Sequence, residues 1–501
     1  MLIKKIGIML LVVMLLLPFA ACGEKPAESI APTSNDTSAT TSEVKKLFEG
    51  LPEVNYGGKE VQFLIGGEEQ GVRYFSREIF GDEDSEDIIN VAVLDRNRLV
   101  EEKFGIKIKG YATAAGESLI SMIRIHNQSQ DSEYDIMAPY MDGAVTLAAE
   151  GFFHNLKSIP NMRIDGDFWD QRANEDLEIM GKLYFTTGYI SILDNECTQC
   201  LIFNKNVAKD YLDGENLYEL VKSGDWTIDK MIELARKVTN DTDGVQGMTY
   251  KDTWGLYVNS SSPTHMFIAA GQRLVKKDGA GNPIITIDST DSARAVTKLV
   301  DVLNDEKASI IIENLTAEAT ADGFPDVYFL ASNQISQNKA LLRTMCLIDL
   351  WDIADSDQDF DFGILPLPKL DKEQDKYYSN VSTFPVPAYV IPVYAKDKDM
   401  SALVLSAMSE ASEDTLNEAY YNKLLKRRRF NDIDSREMLD IIFEDRVYDL
   451  GAVFNWGGIR DVVNNSVKNG SNTFASTWEA SKGTVEAAMQ KTIDSFQQLG
   501  D

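Results

Sequence analysis

The sequence has few of the residues that build metal and redox centres. Among its 501 residues there are four cysteines and three histidines, and the histidines are widely spaced, at positions 126, 154 and 265. The GxSxG, HExxH, P-loop and GxGxxG motifs do not occur. Hydrolases with a nucleophile elbow, zinc peptidases and nucleotide-binding enzymes therefore have no support from sequence motifs.

Basic residues are also few relative to acidic ones. The chain has 49 lysines and arginines against 79 aspartates and glutamates, which gives a formal net charge of −30. A protein with this charge repels phosphate backbones and anionic lipid head groups. We therefore expect no nucleic acid partner. The hydrophobic share of 44% is ordinary for a soluble globular protein, and the length allows two or more lobes.

Apolar runs long enough to cross a membrane are missing. The longest run, Ile6 to Phe19, is shorter than the roughly 20 residues that a bilayer needs. Lys4 and Lys5 precede it and small residues follow, as in a secretory signal. Phe-Ala-Ala-Cys-Gly, which ends this stretch, resembles a bacterial lipobox with phenylalanine where leucine is usual. The resemblance implies cleavage after a signal peptide of residues 1–21 and a lipid anchor on Cys22.

A plain signal peptide cut nearby is the alternative to a lipobox. In both cases we expect the protein to work outside the cytoplasm, and with the anchor it is expected on the outer face of the cell membrane. Residues 22–55 are interpreted as a flexible tether. Up to about Ser42 they are rich in Ser, Thr, Ala and Pro and too poor in large apolar residues to bury a core.

The three remaining cysteines form a CxxC pair, Cys197 and Cys200, and a single residue, Cys346. Outside the cell such a pair is a disulfide, a redox pair or half of a zinc site. A redox pair is expected at a helix N-terminus after a strand, whereas this pair precedes the apolar strand 201–203. We therefore favour a disulfide or buried thiols over a redox pair, and a redox pair over zinc.

Strands and helices alternate in the first third of the chain. The pattern predicts strands at 61–65, 106–109 and 134–138, and helices at 89–104 and 117–128. This order is typical of a parallel sheet with helices on both faces. Ligands bind such sheets at the carboxyl ends of the strands, so the loops after Ile65, Ala138 and Phe185 are candidate site loops.

A helix start is well marked near the middle of the chain. Thr227 is a suitable N-cap, and Asp229 in the first turn suits the helix dipole. Trp226 precedes the cap and is expected to pack on Met231 as a hydrophobic staple. We therefore assign Trp226 to packing rather than to ligand binding.

Several segments, in this order, resemble bacterial extracellular solute-binding proteins of family 1, the sugar-binding kind. They are YDIMAPYMDGAVTLAAEGFFHNL (134–156), LIFNK (201–205), GDWTIDKMIELARKVT (224–239), FIAAGQRL (267–274) and DFGILPLPK (361–369). The similarity runs from about residue 56 to the C-terminus. The Trp-Thr pair in the third segment departs from the family, which has Thr-Trp.

The resemblance implies a two-lobed α/β fold of the periplasmic-binding-protein type II, each lobe a mainly parallel sheet flanked by helices, with hinge strands between lobes. The implied N-terminal lobe comprises 56–197 plus 364–412, and the C-terminal lobe comprises 198–363 plus 413–501. By analogy, the chain crosses between the lobes near 195–201, near 361–369 and in the helix near 412–427. The solute would bind in the cleft between them.

The candidate binding residues are aromatic or polar. Sugars are recognised by flat aromatic faces and by planar polar side chains that hydrogen-bond their hydroxyl groups. The loops after the strands and the positions matching the family's ligand loops offer Glu68, Tyr140, Asp142, Asp194, Ser261, His265, Asp349, Trp351 and Trp456. Core packing is the alternative role of each aromatic residue. No cofactor is expected.

Residues 239–244 resemble part of a calcium loop. Aligning Asp243 with the fifth position puts Thr239 first and Tyr250 twelfth, where carboxylates are required. We therefore favour a turn after the helix over a calcium site.

These observations favour a monomeric receptor that captures an oligosaccharide and delivers it to the permease subunits of an ABC transporter, without breaking a bond. The second hypothesis keeps the fold and replaces the cargo with a peptide or another small solute. The candidate loops hold acids and neutral polar residues rather than arginine, which favours a sugar. The third hypothesis is an extracellular glycosidase, which needs two carboxylates facing each other at roughly 5–10 Å.

Overall fold

The computed structural model describes residues 47–67, 75–114, 116–350, 353, 360–426, 433–467 and 471–499. The predicted signal peptide, Cys22 and most of the tether lie outside the described residues, as do Glu68 and Trp351. The chain from Leu47 onward forms one compact unit. Among its described helices, none is both long and apolar enough to span a bilayer.

Strands and helices alternate through the first half of this unit. They are β1 (Lys59–Gly67), α1 (Ile88–Phe104), β2 (Ile106–Ala114), α2 (Glu117–Gln128), β3 (Ile136–Ala138), α3 (Met141–Ala149), α4 (Gln171–Leu177), α5 (Leu193–Glu196), β4 (Gln199–Asn204), α6 (Lys205–Tyr211), α7 (Leu217–Lys222), α8 (Ile228–Val238), β5 (Trp254–Val258) and α9 (Ser262–Ala269).

The second half also contains both strands and helices. Its elements are β6 (Val275–Lys277), β7 (Pro283–Ile285), α10 (Thr290–Leu303), β8 (Ser309–Ile311), α11 (Thr316–Ala321), α12 (Val327–Ser336), β9 (Ala340–Cys346), β10 (Phe362–Leu365), β11 (Ser379–Asn380), α13 (Lys398–Ser412), α14 (Glu418–Lys426), α15 (Ile433–Glu444), β12 (Arg446–Val447), α16 (Leu450–Phe454), α17 (Ile459–Val467) and α18 (Phe474–Gln498).

The first sheet places β1 between β2 and β3, and all three strands run parallel. Side chains of β1 alternate between two cores: Phe63 and Ile65 pack with residues of α1 and α13, whereas Leu64 packs with residues of α2 and α3. Antiparallel bridges from Met137 to Val390 and from Thr186 to Tyr389 extend the layer sideways. The predicted parallel sheet with helices on both faces is therefore confirmed.

The second sheet has the strand order β10-β4-β9-β5-β8. β9, β5 and β8 are parallel, whereas β4 is antiparallel to both of its neighbours. Leu201 and Phe203 of β4 face the core that holds α8 and α9, and Cys200 and Ile202 face a second core on the opposite side. This sheet is therefore also covered on both faces.

The helix start at α8 has the predicted chemistry. The Thr227 hydroxyl accepts a hydrogen bond from the Lys230 N–H at 3.3 Å. Trp226 is fully buried, and its indole N–H donates to the Pro366 carbonyl at 2.9 Å. Trp226 therefore has the packing role expected of it, and it also ties the segment after β10 to α8.

The cysteines of the described chain are buried thiols. Cys197, Cys200 and Cys346 form no disulfide within the described part of the chain, and burial raises the pKa of Cys197 and of Cys200. Thiolates are the reactive form of cysteine, so these residues sit in surroundings that suppress thiol chemistry. Of the two readings favoured from the sequence, the structure has the buried thiols.

The turn after α8 is held by an aspartate. Asp241, Asp243 and Asp252 bring carboxylate oxygens within 4.8 Å of one another. The Asp252 carboxylate accepts hydrogen bonds from the N–H groups of Thr242 at 2.6 Å and Thr249 at 2.7 Å, and a third from Asp243. These backbone contacts account for the position of Asp252, in keeping with a turn.

Three chain segments lie side by side between the two sheets. Thr198, just before β4, bridges to Val381, and β11 pairs in parallel with β12. The chain leaves the first sheet before α5. At Lys369 it still lies beside α8, because the Lys369 carbonyl accepts a hydrogen bond from the Ile228 N–H. It rejoins the first sheet only after β11, where Val390 bridges to Met137. A π-helical turn, Glu413–Asn417, joins α13 to α14.

Candidate functional site

The place where Thr198, β11 and β12 lie side by side is called the junction below. Loops at the carboxyl ends of strands from both sheets lie beside it. In the first sheet, β3 ends at Ala138 and leads into α3. In the second sheet, β5 ends at Val258 and β9 ends at Cys346, which pairs with Gln199 at the start of β4. Because the carboxyl ends of parallel strands meet at one edge, these loops form the expected position for a ligand.

Asp142 links the first-sheet loop to elements packed on the second sheet. It lies in the first turn of α3, and its Oδ1 accepts from the Thr383 hydroxyl at 3.2 Å. Its Oδ2 is 3.1 Å from Nη1 of Arg460, in the first turn of α17. Helix α17 packs on α9, which follows β5. The Asp142–Arg460 ion pair therefore joins the two halves of the junction.

Two aromatic rings stand beside this ion pair. Tyr140 is buried, whereas 52% of Phe384 is exposed, and their ring centroids are 5.6 Å apart. Phe384 is held there because Tyr140 bridges to Pro387 and the Met141 N–H donates to the Val386 carbonyl. Phe384 was not among the residues predicted from the sequence. It lies in a proline-containing segment with no periodic pattern, which offered no signal to find it.

His265 and Asn380 form a neutral polar pair nearby. Asn380 donates from Nδ2 to the Val381 carbonyl at 3.2 Å, which fixes the orientation of its amide. Nδ2 is also 2.7 Å from His265 Nδ1, so this ring nitrogen accepts and Nε2 carries the proton. Burial, together with the charge of Arg460, lowers the pKa of His265 to about 4. The imidazole is therefore neutral at pH 7.

Asn380 also carries an acceptor that is not used. Its Oδ1 is buried and has no hydrogen-bond partner among the described residues. Leaving a buried acceptor unpaired costs about 1–3 kcal/mol. An unpaired acceptor next to a neutral imidazole is suited to a hydroxyl donor from a solute.

Comparison with known proteins agrees with this architecture. The family model described as bacterial extracellular solute-binding protein matches residues 86–404, which is more than half of the chain. The chain belongs to this family. A match to curated proteins is not found.

Among solved structures, the solute-binding protein resembles the GacH receptor of Streptomyces glaucescens, determined in the unliganded form and in complex with acarbose and an acarbose homolog. The TM-score is 0.54 at 15% sequence identity, and the match covers 86% of this chain and 99% of that chain. At this identity the likeness establishes the fold. The predicted periplasmic-binding-protein fold is therefore confirmed.

Ser261 lies in the loop of the solute-binding protein that follows β5. Its side chain is exposed, and it precedes the buried Ser262, whose hydroxyl is 2.8 Å from that of Thr344 on β9. The N–H of Thr264, two residues further on, donates a hydrogen bond to the amide oxygen of Asn464 at 3.1 Å. This loop is therefore anchored to β9 on one side and to α17 on the other, and Ser261 is left open to solvent.

Asp349 lies at the end of β9, at the same edge of the second sheet. It is buried, and its Oδ2 accepts a hydrogen bond from the Cys346 N–H at 3.2 Å. Asp349 therefore holds the turn after β9, next to the position of Trp351. Trp351 lies outside the described residues, and both residues remain predictions as ligand residues.

Asp194 has polar partners that differ from those of Asp142 and His265. Its Oδ2 is 3.5 Å from Arg446 Nη1, and Arg446 also donates to Asn195 at 2.7 Å and pairs with Asp170 at 2.8 Å. Burial raises the pKa of Asp194 to about 7, although Arg446 acts in the opposite direction. These residues line a cavity of about 450 Å³. The structure thus gives Asp194 a charge partner rather than a place beside the other candidates.

Trp456 is packed into the protein. Only 4% of it is exposed, its ring stacks on Phe454 with centroids 4.6 Å apart, and its indole N–H donates to the Thr492 hydroxyl at 2.8 Å. This is the core-packing alternative named for it above. In this conformation the ring presents no open face to a solute.

Proposed function

We propose that this solute-binding protein captures a carbohydrate, specifically an oligosaccharide, and delivers it to an ABC permease. The observation that carries this proposal is Phe384. An aromatic ring that is half exposed beside polar side chains is suited to the C–H face of a sugar ring, because stacking covers apolar surface while the hydroxyl groups stay accessible. The acarbose bound by the structurally similar GacH receptor is in keeping with such a cargo.

The electrostatics around Phe384 also favour a neutral solute. Asp142 and Arg460 neutralise each other, and His265 carries no charge at pH 7. A peptide needs a charged partner for each terminus, whereas the hydroxyl groups of a sugar need acceptors and donors such as Asn380 Oδ1 and His265 Nε2. The described groups therefore match a carbohydrate better than a zwitterion.

Capture is expected to work through closure of two lobes. Asp142 of α3 and Arg460 of α17 belong to opposite sides of the junction, so their ion pair forms only when the sides are close. A solute that contacts both sides stabilises the closed state by its differential affinity. We propose lobes with the boundaries given above, with the second crossing near residue 380 rather than 364, because Lys369 still bonds to α8.

Further ligand contacts are proposed for residues outside the described cluster. Glu68 follows β1, and Trp351 and Asp349 follow β9, so all three stand at carboxyl ends of strands. We also propose that Cys22 carries a lipid that holds the protein on the outer face of the membrane. Labelling with a radioactive fatty acid, lost in Cys22→Ala, is the expected result for the anchor.

The function is tested by thermal-shift and calorimetric screening of the purified protein against oligosaccharides, short peptides and amino acids. At 100 times its dissociation constant, a ligand adds about 2.7 kcal/mol to the free energy of unfolding, which gives a clear rise in Tm. We expect hits confined to glycans. Hits only among peptides would show that the cargo is a peptide rather than a carbohydrate. Turnover of a chromogenic glycoside, lost in Asp142→Asn, would show that the protein is a glycosidase rather than a receptor.

A further inference from the structure

A second cavity, distinct from the Asp194 cavity, opens at the edge of the second sheet. It lies where β5 ends at Val258 and β8 ends at Ile311, two residues that are paired across the sheet. Its volume is about 390 Å³. This is the size range of small-molecule pockets, and the position at the carboxyl ends of parallel strands is the expected one for a ligand.

The walls of this cavity are aliphatic. Five of its ten lining residues are Val258, Pro263, Leu303, Ile311 and Val467, and none of the ten is aromatic. Such walls offer no platform for a sugar ring, in contrast to Phe384. They are suited to a methyl group, because burying apolar surface against aliphatic carbon removes it from water.

One lining residue carries a buried acceptor without a partner. The Oδ1 of Asn259 is buried and makes no hydrogen bond to any described residue. Its backbone is fixed, because the Asn259 N–H donates to the Thr344 hydroxyl at 3.1 Å. A buried acceptor in a fixed position is costly when unpaired, so the site is suited to a ligand that brings an N–H or O–H donor.

A donor lines the same cavity on the α17 side. Asn464 Oδ1 accepts from the Thr264 N–H at 3.1 Å and lies 2.9 Å from the Thr264 hydroxyl, which leaves the Asn464 amide nitrogen as the group available to a ligand. The Thr264 hydroxyl is also 2.9 Å from the Arg460 carbonyl. The cavity is therefore one helical turn from the Asp142–Arg460 ion pair.

The carboxylate in the cavity is already bonded. Glu313 accepts from the Ser260 N–H at 2.7 Å and from the Tyr328 hydroxyl at 3.3 Å. An ammonium group would have to compete with these donors. The charge in the lining therefore does not by itself select a cation.

We propose that this cavity receives the acetamido group of an N-acetylated carbohydrate. The acetamido N–H donates to Asn259 Oδ1, its carbonyl accepts from the Asn464 amide nitrogen, and its methyl packs on the aliphatic walls. A hydroxyl group in the same place can also donate and accept, but it brings no methyl group and leaves the aliphatic walls in contact with water. The inference rests on the proposed function, because it names the class of carbohydrate.

The first test uses the unaltered protein and matched glycans in calorimetry. For each linkage type, an N-acetylated oligosaccharide is compared with its hydroxyl counterpart and with the free amine, for example N-acetylated chitotetraose, cellotetraose and chitosan tetramer. We expect the acetylated member to bind at least tenfold tighter than either. The inference is overturned if the members bind within twofold of one another, if the amine binds most tightly, or if the glycans that bind carry no acetamido group.

These outcomes separate the inference from the proposed function. Glycan binding without a preference for the acetyl group refutes only the assignment of the cavity. Binding of a peptide or amino acid with no response to any glycan refutes the proposed function, and the inference with it.

A second test uses two leucine variants. Asn259→Leu keeps the approximate size of the side chain and removes the acceptor, so the tenfold preference is expected to disappear while binding of the hydroxyl glycan remains. Asn127→Leu makes the same exchange on α2, and its side chain makes no described hydrogen bond and does not line the cavity. This control is expected to keep the preference. Retention of the preference in Asn259→Leu would contradict the assignment.

Discussion

The two faces of the β11–β12 ribbon differ in charge. Ser379 pairs with Arg446 and Asn380 pairs with Val447, and successive side chains of a strand point to opposite faces. On one face Asn380 meets the neutral His265, which senses the charge of Arg460, the ion-pair partner of Asp142. On the other face Arg446 is enclosed by carboxylates.

Because of this difference in charge, the two faces of the ribbon are suited to different roles. A buried ion pair cannot release one member to a solute without leaving the other unpaired, at a cost of about 3–5 kcal/mol. Neutral amides and imidazoles exchange partners at about 1 kcal/mol per hydrogen bond. The charged face is therefore suited to holding the junction together, and the neutral face is suited to reversible binding.

The largest expected effect is the loss of Arg446. Arg446→Met leaves the carboxylate of Asp170 buried without its cation, so the free energy of unfolding is expected to fall by about 3–5 kcal/mol in urea titrations. The matched control is Lys376→Met. Lys376 pairs with Asp445 but its side chain is 50% exposed, so the expected change is below about 1 kcal/mol. Equal losses in the two variants would contradict the contrast between the faces.

The two faces are expected to respond to pH in opposite directions. The pKa of Asp194 is raised to about 7, so the folded protein keeps this proton when the unfolded chain has lost it. Its contribution to stability is therefore present at low pH and is lost as pH rises from about 4 to 7. The pKa of His265 is lowered to about 4, so its contribution is present above pH 6.5 and is lost as pH falls towards 4.

Two variants separate these contributions. Between pH 7 and pH 5 the wild type is expected to gain stability relative to Asp194→Asn, at up to about 1.4 kcal/mol per pH unit. Relative to His265→Gln, which keeps an acceptor for Asn380, the wild type is expected to lose stability over the same interval. Urea unfolding at four pH values measures both differences. Parallel curves for the wild type and both variants would rule out this assignment of the two titrating groups.

Removal of the exposed ring on the neutral face is expected to affect binding rather than folding. Phe384→Ala should weaken the glycan found in the screen by about tenfold, because stacking and area burial are lost, while the free energy of unfolding changes by less than about 0.5 kcal/mol. Phe384→Tyr keeps the ring and is expected to retain affinity. An unchanged dissociation constant in the alanine variant would refute the role of Phe384.

The loss of Arg460 is expected to have only a small effect on stability. Its side chain is 32% exposed and that of Asp142 is 25% exposed, so Arg460→Gln should change the free energy of unfolding by less than about 1 kcal/mol. The same variant is expected to weaken solute binding, because the ion pair joins the two sides of the junction. A loss as large as that of Arg446→Met would show that both faces carry the fold.

The periodic elements of the fold were accessible from the sequence. Helix α2 begins and ends at the predicted residues, and the Thr227 cap is present as predicted. β1 extends two residues beyond each end of the predicted 61–65. Lys59 and Glu60 are exposed, and Gly66 and Gly67 have no side chain, so neither pair gives a hydrophobic signal. Regular spacing of apolar residues thus located the elements but not their ends.

The candidate site was less accessible, because it depends on long-range register. Asp142 was predicted from the loop after β3 and lies at the junction. Asp194 also lies at the junction, but on the charged face, because it is held there by Arg446, which is 252 residues away in the chain. Phe384 is placed next to Tyr140 by the bridge between Tyr140 and Pro387, and the sequence gives no sign of that bridge. A single sequence does not show which distant segments pair.

The π-helical turn Glu413–Asn417 has a consequence for the winding of the chain. Its wide turn absorbs more residues than an α-helical turn, and it lets α13 and α14 bury their own faces in one continuous helix. If the same residues tightened to α-helical winding, every position after Asn417 would rotate by about 100° around the axis. Tyr420, which is 1% exposed, would then turn out of the core. Tyr420 is therefore expected to be buried when Glu413–Asn417 is π-helical and exposed when it is α-helical.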